Sequence, residues 1–267
     1  MDNLKLLNNL IKAESTKEVV KVLKNFNLLN YDPKNWLPLG DNFNNKPLIM
    51  SQTSRPEHAI VEKLTNSVDA LIQLKVIEDD GNSPPLSVKD AVEKYFGIPE
   101  GNLIYTTQNE RTPLVENIQL FSTGKKKETC IFIADQGMGQ PPEKFKDTLL
   151  SINKSNKVNL PYLTGSYNMG GTASLSFSGD LEMNLIISKM SPSINKNNSK
   201  DWGFTLIKRF EGEEIGGEEA EYFYLNSNGN ILTTNENSLK MWLELFPNAF
   251  IYGIDIGKEL IGTRHNV

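Results

Sequence analysis

The sequence predicts an α+β fold: a two-layer sandwich in which one mixed β-sheet is covered by helices on one face. Two observations lead to this prediction. Helical periodicity dominates the chain before residue 97, and most runs typical of strands come after it. With 267 residues, the chain is long enough for one large core or two small domains. We expect an N-terminal helical segment and extended arm at 1–54, and a main domain at 55–267.

The N-terminal part of the chain alternates apolar and polar residues at helical spacing. Residues 3–26 are expected to form two short helices, broken around Glu14 to Thr16, with Ser15 or Thr16 capping the second. Residues 29–54 are rich in Asn, Asp, Pro and Gly, so we expect an extended arm or loop there. This arm leads directly into the main domain.

A longer helix opens the main domain, and strands follow it. Pro56 stands near the start of a helix over 57–77, where proline is tolerated, and a shorter helix is expected at 87–96. Residues 97–127 are predicted to be irregular. The continuous apolar run 129–134 is typical of a strand buried on both faces. Further strands are expected at 181–188, 202–210 and 221–225, and a helix at 238–246.

Composition excludes several classes of function. The net charge of −5 gives no sign of a general nucleic-acid-binding surface. Cys130 is the single cysteine, which excludes an internal disulfide and a multi-cysteine zinc site. The N-terminus is too polar for a signal peptide, and no apolar run approaches the length of a membrane span. We therefore expect a cytoplasmic protein with no membrane partner.

The stretch Glu62–Ala70 lies within the predicted helix and reads Glu-Lys-Leu-Thr-Asn-Ser-Val-Asp-Ala. At about 100° per residue, Glu62, Asn66 and Asp69 fall on one narrow stripe, and the apolar residues fall on the opposite side. The helix is therefore expected to bury its apolar face on the sheet and to direct the polar stripe into a cavity. Two carboxylates and an amide suit magnesium binding and the activation of a water molecule.

The stretch Asp135-Gln-Gly-Met-Gly139 directly follows the apolar run at 129–134. A carboxylate at the end of a strand lies at the floor of a pocket, where it can accept a hydrogen bond from an exocyclic amine such as that of adenine. Gly137 and Gly139 remove side chains, so that backbone and ligand can approach closely. Because Asp and Gly are also common turn formers, an ordinary surface turn is the alternative.

A glycine-rich stretch, Thr164–Ser174, contains Gly165, Gly170 and Gly171 ahead of an apolar run rich in Ala and Ser. A glycine-rich turn that leads into a helix N-terminus presents backbone N–H groups to phosphate. The preceding residues are polar and basic, which suits a mobile lid over a triphosphate at about 140–171. No Gly-Lys-Ser/Thr follows at the spacing of a Walker A loop, so that class of phosphate loop is excluded.

The order of these three motifs resembles the GHKL superfamily of ATPases, which includes DNA gyrase B, the ninety-kilodalton heat-shock chaperone, histidine kinases and MutL. The first box of that family, Glu-x-x-x-Asn-Ser-x-Asp-Ala, is matched at Glu62–Ala70, and the second, Asp-x-Gly-x-Gly, at Asp135–Gly139. The lid box is matched loosely at Gly165–Gly171, and a Gly-Thr pair stands at 262–263. The resemblance covers about residues 55–265 and implies the Bergerat ATP-binding fold.

The resemblance also implies a role for each matched residue. Glu62 would be the general base that orients and deprotonates the attacking water, and Asn66 would coordinate Mg²⁺ held by the phosphates of ATP. Asp69 would line the nucleotide pocket, and Asp135 would bind the amino group of adenine. The remaining positions implied to bind the cofactor are Gly137, Met138, Gly139, Gly170, Gly171, Thr172 and Thr263.

The function implied by the resemblance is magnesium-dependent binding and hydrolysis of ATP, with lid closure or dimerisation driving a larger machine that acts on DNA or protein. A regulatory module that binds nucleotide without turnover is the alternative, and a protein kinase using the same pocket is a third. The habits of the family extend to DNA repair and antiviral defence, and no residue in this chain selects either role.

The resemblance implies partners as well. The arm that precedes the first box is similar to segments that reach across a homodimer in related ATPases, and the alternative is a strap that covers its own domain. Gyrase-like and MutL-like proteins continue into a transducer domain that supplies a lysine to the γ-phosphate, whereas this chain ends at Val267. We therefore expect a C-terminal region or a partner protein to complete the site.

Overall fold

Amphipathic helices and an antiparallel β-sheet give the described part of the chain an α+β fold. The structure is a computed structural model that describes residues 1–52, 55–80, 82–126, 128–152, 160–164, 172–196 and 201–235, together with the backbone of 250–256. The helices are α1 (Asn3–Lys12), α2 (Thr16–Asn25), α3 (Asn45–Met50), α4 (Pro56–Glu78), α5 (Val88–Phe96), α6 (Gln108–Val115) and α7 (Gly212–Ile215). The strands are β1 (Trp36–Pro38), β2 (Ile118–Lys125), β3 (Glu128–Asp135), β4 (Asn184–Ser188), β5 (Trp202–Phe210), β6 (Glu221–Leu225), β7 (Leu232–Thr234) and β8 (Phe250–Ile256).

Helices α1 and α2 each begin after a residue whose side chain caps them. The Asp2 carboxylate accepts a hydrogen bond from the backbone N–H of Lys5, and the Ser15 hydroxyl accepts one from that of Glu18. Each bond satisfies an N–H group that has no partner inside the first helical turn. The two predicted helices are confirmed. Ser15, rather than Thr16, is the residue that caps the second helix.

The strands are arranged in the order β1-β6-β5-β4-β8-β3-β2, and β7 also pairs with β5. Every described strand pair is antiparallel, so the prediction of a mixed sheet is wrong for this part of the chain. The reason lies in the connections between strands. A tight hairpin joins β2 to β3, pairing Lys125 with Glu128, and a link of that length permits only antiparallel neighbours.

Both faces of the sheet are covered, which corrects the prediction of helices on one face only. Leu185 and Ile187 of β4 pack in a core with α1 and α2, whereas Ile186 between them packs in a second core with Phe145. Helix α4 covers Ile133 of β3 on that second face. Strands β4, β5 and β6 are buried along almost their whole length, so they require a layer on each side.

The segment predicted as an extended arm contains β1 and α3 and packs on its own chain. Strand β1 pairs with β6, and Trp36 is fully buried, with its indole N–H donating to the carbonyl of Leu28 at 3.1 Å. Asn45 is also fully buried and hydrogen-bonds both backbone groups of Tyr222, which lies 177 residues further along the chain. The prediction of a loop is wrong for β1 and α3 because such distant partners leave no local signal.

Two elements also lie in the region 97–127 that the sequence predicts to be irregular. Helix α6 begins with a capping box between Thr107 and Glu110, although Pro113 stands inside it. Strand β2 is an edge strand whose side chains are half-buried or exposed, so its sequence lacks the apolar run of a central strand. Its pairing with β3, rather than its own composition, makes it a strand.

Most remaining elements match the prediction. The helices at 57–77 and 87–96 and the strands at 129–134, 202–210 and 221–225 are confirmed within one or two residues, and the strand predicted at 181–188 is the shorter β4. The helix predicted at 238–246 lies outside the described residues. Within the described ranges, no helix combines the length and the apolar character that a membrane crossing would require.

Candidate functional site

Helix α4 carries the first motif. It begins with Pro56, whose missing N–H costs nothing in the first turn, and it continues for 23 residues. Glu62 and Asn66 are half-buried on this helix, whereas Asp69 is fully buried. The polar stripe predicted from helical spacing therefore becomes more enclosed from Glu62 towards Asp69.

Asp135 is the last residue of β3 and is 3% exposed. Its Oδ1 accepts a hydrogen bond from the backbone N–H of Gly137 at 2.9 Å. Burial raises the pKa of Asp135 to about 7, against the lowering effects of the Gly137 N–H and of the Ser67 hydroxyl beside it. Ser67 belongs to α4, so this carboxylate lies between the second motif and the helix of the first.

The two glycines of the second motif are required by space. A Cβ at Gly137 would lie 2.6 Å from the Cβ of Ala70, and a Cβ at Gly139 would lie 1.8 Å from the backbone oxygen of Lys189. Gly139 also has a φ of +61°, a region that favours glycine. Met138 is held between them, because its N–H donates to the carbonyl of Ala70 at 3.1 Å. The loop is therefore packed directly on α4, which argues against an ordinary surface turn.

Asp69 links the first motif to the start of the third. Its Oδ1 accepts hydrogen bonds from both the backbone N–H and the hydroxyl of Thr164, at 2.9 and 2.8 Å. Thr164 is the first residue of the glycine-rich stretch. The structure thus brings part of all three motifs together at α4, although they are separated by up to about a hundred residues in sequence.

The described part of the third motif differs from the prediction. Thr172 is 2% exposed, and its hydroxyl donates to Oε1 of Gln52 at 3.0 Å. The following apolar run forms a single 3₁₀ turn at Leu175–Phe177 instead of the predicted helix, because the chain turns back to enter β4. The predicted cofactor-binding residues Gly170, Gly171 and Thr263, together with Gly165, lie outside the described residues.

The first part of the predicted lid is anchored in the core. Residues Pro142–Asp147 form a 3₁₀ helix, and Phe145 and Leu150 are almost completely buried in the second core. Side chains held in this way cannot leave without exposing a large apolar area. The described part of the lid predicted at 140–171 therefore contains side chains that belong to the second core, and the lid itself stays a prediction.

Sequence reasoning did not single out Lys63 and Ser67, both of which face inward from α4. Lys63 is fully buried, and burial lowers its pKa to about 7 against the opposing charge of Glu62. The Ser67 hydroxyl is buried and has no hydrogen-bond partner of normal geometry within the described ranges. In the structure Ala59, Lys63 and Ser67 repeat every four residues on the buried face, and the residue types at 63 and 67 gave no signal of this in the sequence.

The donor set on α4 suits a magnesium ion that arrives with a nucleotide. Mg²⁺ prefers oxygen ligands and is commonly held by one or two protein groups together with phosphate oxygens and water. Asn66 offers one amide oxygen from the polar stripe. Among the described residues there is no group of three or more His, Cys, Asp or Glu side chains that would hold a metal ion by themselves. Asn66 would therefore be the protein ligand, and the phosphates of a bound nucleotide and water would supply the others.

Comparison with known proteins does not assign this chain to a family. A scan against models of known protein families finds no match, and a search of curated proteins finds no relative. Any functional conclusion therefore depends on the motifs and on the geometry of α4 and its neighbours.

Proposed function

We propose that the chain is a GHKL-type module with the Bergerat fold that binds and hydrolyses magnesium–ATP. The packing of the Asp135–Gly139 loop on α4 is the observation that supports this proposal most. It places a buried carboxylate beside the helix that carries Glu62 and Asn66, and it leaves no room for side chains at Gly137 and Gly139. In this proposal Asp135 binds the base and α4 faces the phosphates, and their contact supports a single site.

At the adenine end, Asp135 accepts a hydrogen bond from the exocyclic amine of the base. The carboxylate is buried, so a donor from the ligand compensates for the loss of water around it. The Gly137 N–H already occupies Oδ1 and fixes the orientation of the group. The hydroxyl of Ser67 lies next to this carboxylate and provides a second polar group for the base.

At the phosphate end, the interacting residues are those of α4 that precede Ser67. Asn66 is one residue before Ser67, and Glu62 is about 6 Å further towards the helix N-terminus at 1.5 Å of rise per residue. Mg²⁺ bound with ATP supplies charge neutralisation for the transferred phosphoryl group. Asn66 contributes a ligand to that ion, and Glu62 orients and deprotonates the attacking water.

The output of the module is proposed to be a conformational change within a larger machine that acts on DNA or protein. The described N-terminal segment pairs β1 with β6 of its own chain, which favours a strap over its own domain rather than an arm that crosses a dimer. Closure of residues after Leu150 over the nucleotide, and completion of the site by a transducer region or partner, belong to the same proposal.

The test is ATP turnover by the purified chain and by Glu62→Ala, with Glu57→Ala as the matched control. Glu57 lies on the same helix, but its side chain is 45% exposed and paired with Arg55 at the surface. We expect Glu62→Ala to lower turnover by at least about 100-fold while ATP still binds, and Glu57→Ala to match the wild type. Equal turnover in the wild type and Glu62→Ala would refute the catalytic role. Tight ATP binding without phosphate release in the wild type would select the regulatory alternative.

A further inference from the structure

Gln52, in the N-terminal segment, is placed rigidly against the end of the glycine-rich motif. Helix α3 precedes it, and both carboxylate oxygens of Glu221 accept hydrogen bonds at the start of that helix, from the N–H groups of Asn44 and Asn45 at 2.7 and 2.8 Å. Ile49 is 1% exposed in the second core. Three residues after Ile49, the N–H of Gln52 donates a hydrogen bond to the Ile49 carbonyl at 3.2 Å. The position of Gln52 is therefore set by the sheet.

The side chain of Gln52 has one satisfied end and one unsatisfied end. Its Oε1 accepts a hydrogen bond from the hydroxyl of Thr172 at 3.0 Å. Its Nε2 is buried and has no hydrogen-bond partner in the part of the chain that the structure describes. A buried donor without an acceptor is costly, and most such groups in native proteins acquire a partner. An anionic oxygen of a ligand would be the strongest partner available to an amide donor.

Thr172 is itself fixed from its C-terminal side. Two residues later the hydroxyl of Ser174 accepts a hydrogen bond from Asn184 at 2.9 Å, and Ser178 donates both to the carbonyl of Ser174 and to Asn184. This network is buried throughout. Gln52 and the network therefore hold Thr172 between them, immediately after the glycine-rich stretch in sequence.

We propose that Gln52 is a nucleotide-binding residue, whose buried amide nitrogen donates a hydrogen bond to a phosphate oxygen of the bound nucleotide. The inference rests on the proposed function, and it makes the N-terminal segment part of the site within one chain. The amide distinguishes nucleotides by their phosphates and does not contact the base. No motif assigned from the sequence includes this residue.

The test compares the affinities of the full chain and of Gln52→Glu for ATP, AMP and adenosine by calorimetric titration. Glutamate keeps the shape of the side chain and still accepts from Thr172, but it replaces the donor with a negative charge. We expect Gln52→Glu to weaken ATP binding by about 10- to 100-fold and to change adenosine binding by less than about twofold. Ser51→Ala is the control, since its exposed hydroxyl bonds only the carbonyl of Leu48 among the described residues.

The outcomes separate the two proposals. If the wild type binds no nucleotide, the proposed function fails. If the wild type binds ATP and Gln52→Glu binds it equally well, or loses adenosine as strongly as ATP, the assignment of Gln52 is overturned while the function stands. Circular dichroism checks folding, and if Gln52→Glu does not fold, Gln52→Met gives the same comparison without the added charge. That variant is expected to lose about fivefold in ATP affinity and nothing for adenosine.

Discussion

Replacing Asp135 with asparagine is expected to remove a pH-dependent cost from the folded protein. The carboxyl is 3% exposed, and burial raises its pKa from 3.8 to about 7. Between those two pH values the folded state holds a proton that the unfolded state has released. The contribution of this group to stability is therefore complete below about pH 4 and is lost as the pH rises to about 7. The two pKa values differ by about three pH units, and at 1.36 kcal/mol per unit this corresponds to about 4 kcal/mol in the free energy of unfolding.

Asparagine has nearly the same shape, and its amide oxygen can accept the hydrogen bond from Gly137. Asparagine does not titrate, so the free energy of unfolding of Asp135→Asn should not fall with rising pH on account of this residue. Urea denaturation at pH 5, 6, 7 and 8, followed by the fluorescence of the buried Trp36 and Trp202, measures the difference. Relative to pH 5, the wild type should lose about 2.5 kcal/mol more than the variant by pH 8, because the pKa of Asp135 is raised to about 7.

Asp180→Asn is the control for this experiment, because it makes the same chemical change at an exposed position. The free energy of unfolding of Asp180→Asn should change with pH in the same way as that of the wild type. If Asp135→Asn also runs parallel to the wild type between pH 5 and 8, Asp135 is not a desolvated acid, and its assignment to a buried ligand-binding position loses its physical basis.

The remaining predictions concern stability, measured by the same denaturation. Burial lowers the pKa of Lys63 to about 7, so between pH 7 and pH 10 only the unfolded state holds this proton. The free energy of unfolding of the wild type should therefore rise by up to about 4 kcal/mol over that range, and Lys63→Met should lack this rise. Gly139→Ala should lower the free energy of unfolding by at least about 2 kcal/mol more than Gly216→Ala does. Both glycines have positive φ, but only Gly139 faces a backbone atom, the oxygen of Lys189. Equal losses would show that the loop can move away from Lys189. Asn45→Ala should cost about 3 kcal/mol, because the side chain makes three buried hydrogen bonds and one part-buried one, and a cost under about 1 kcal/mol would contradict the anchoring of α3.

Elements that depend on local sequence were predictable. The break between α1 and α2 follows from the cap at Ser15, and the start of α4 follows from Pro56. The central strand β3 follows from its apolar run. In each case the signal lies within a few residues, where propensity and periodicity act.

Elements that depend on distant partners were not predictable. β1 exists because Trp36 pairs with Leu225, and β2 exists because it lies beside β3 at the edge of the sheet. The antiparallel arrangement and the second covered face also come from tertiary packing. The burial of Lys63 was not predictable either, because a lysine carries no apolar signal for the inward face of a helix.

The candidate site divides in the same way. The residue types at Glu62, Asn66, Asp69 and Asp135 were evident from the motifs. The placement of Asp135 against α4 was not evident, because the contact between the loop and α4 depends on the missing side chain at Gly137. No feature of the sequence singled out Gln52, because it lies in a segment that was predicted to be only an extended arm or loop.

The central claim is that α4 and the Asp135–Gly139 loop form an adenine-nucleotide site, and competition between ATP and GTP tests it most directly. Adenine presents an amine where guanine presents a carbonyl, and a carboxylate accepts only from the amine. In calorimetric titration with Mg²⁺, the wild type should bind ATP at least about tenfold more tightly than GTP, and Asp135→Asn should lose most of that preference. Absence of ATP binding by the wild type, or an unchanged preference in Asp135→Asn, would contradict the site.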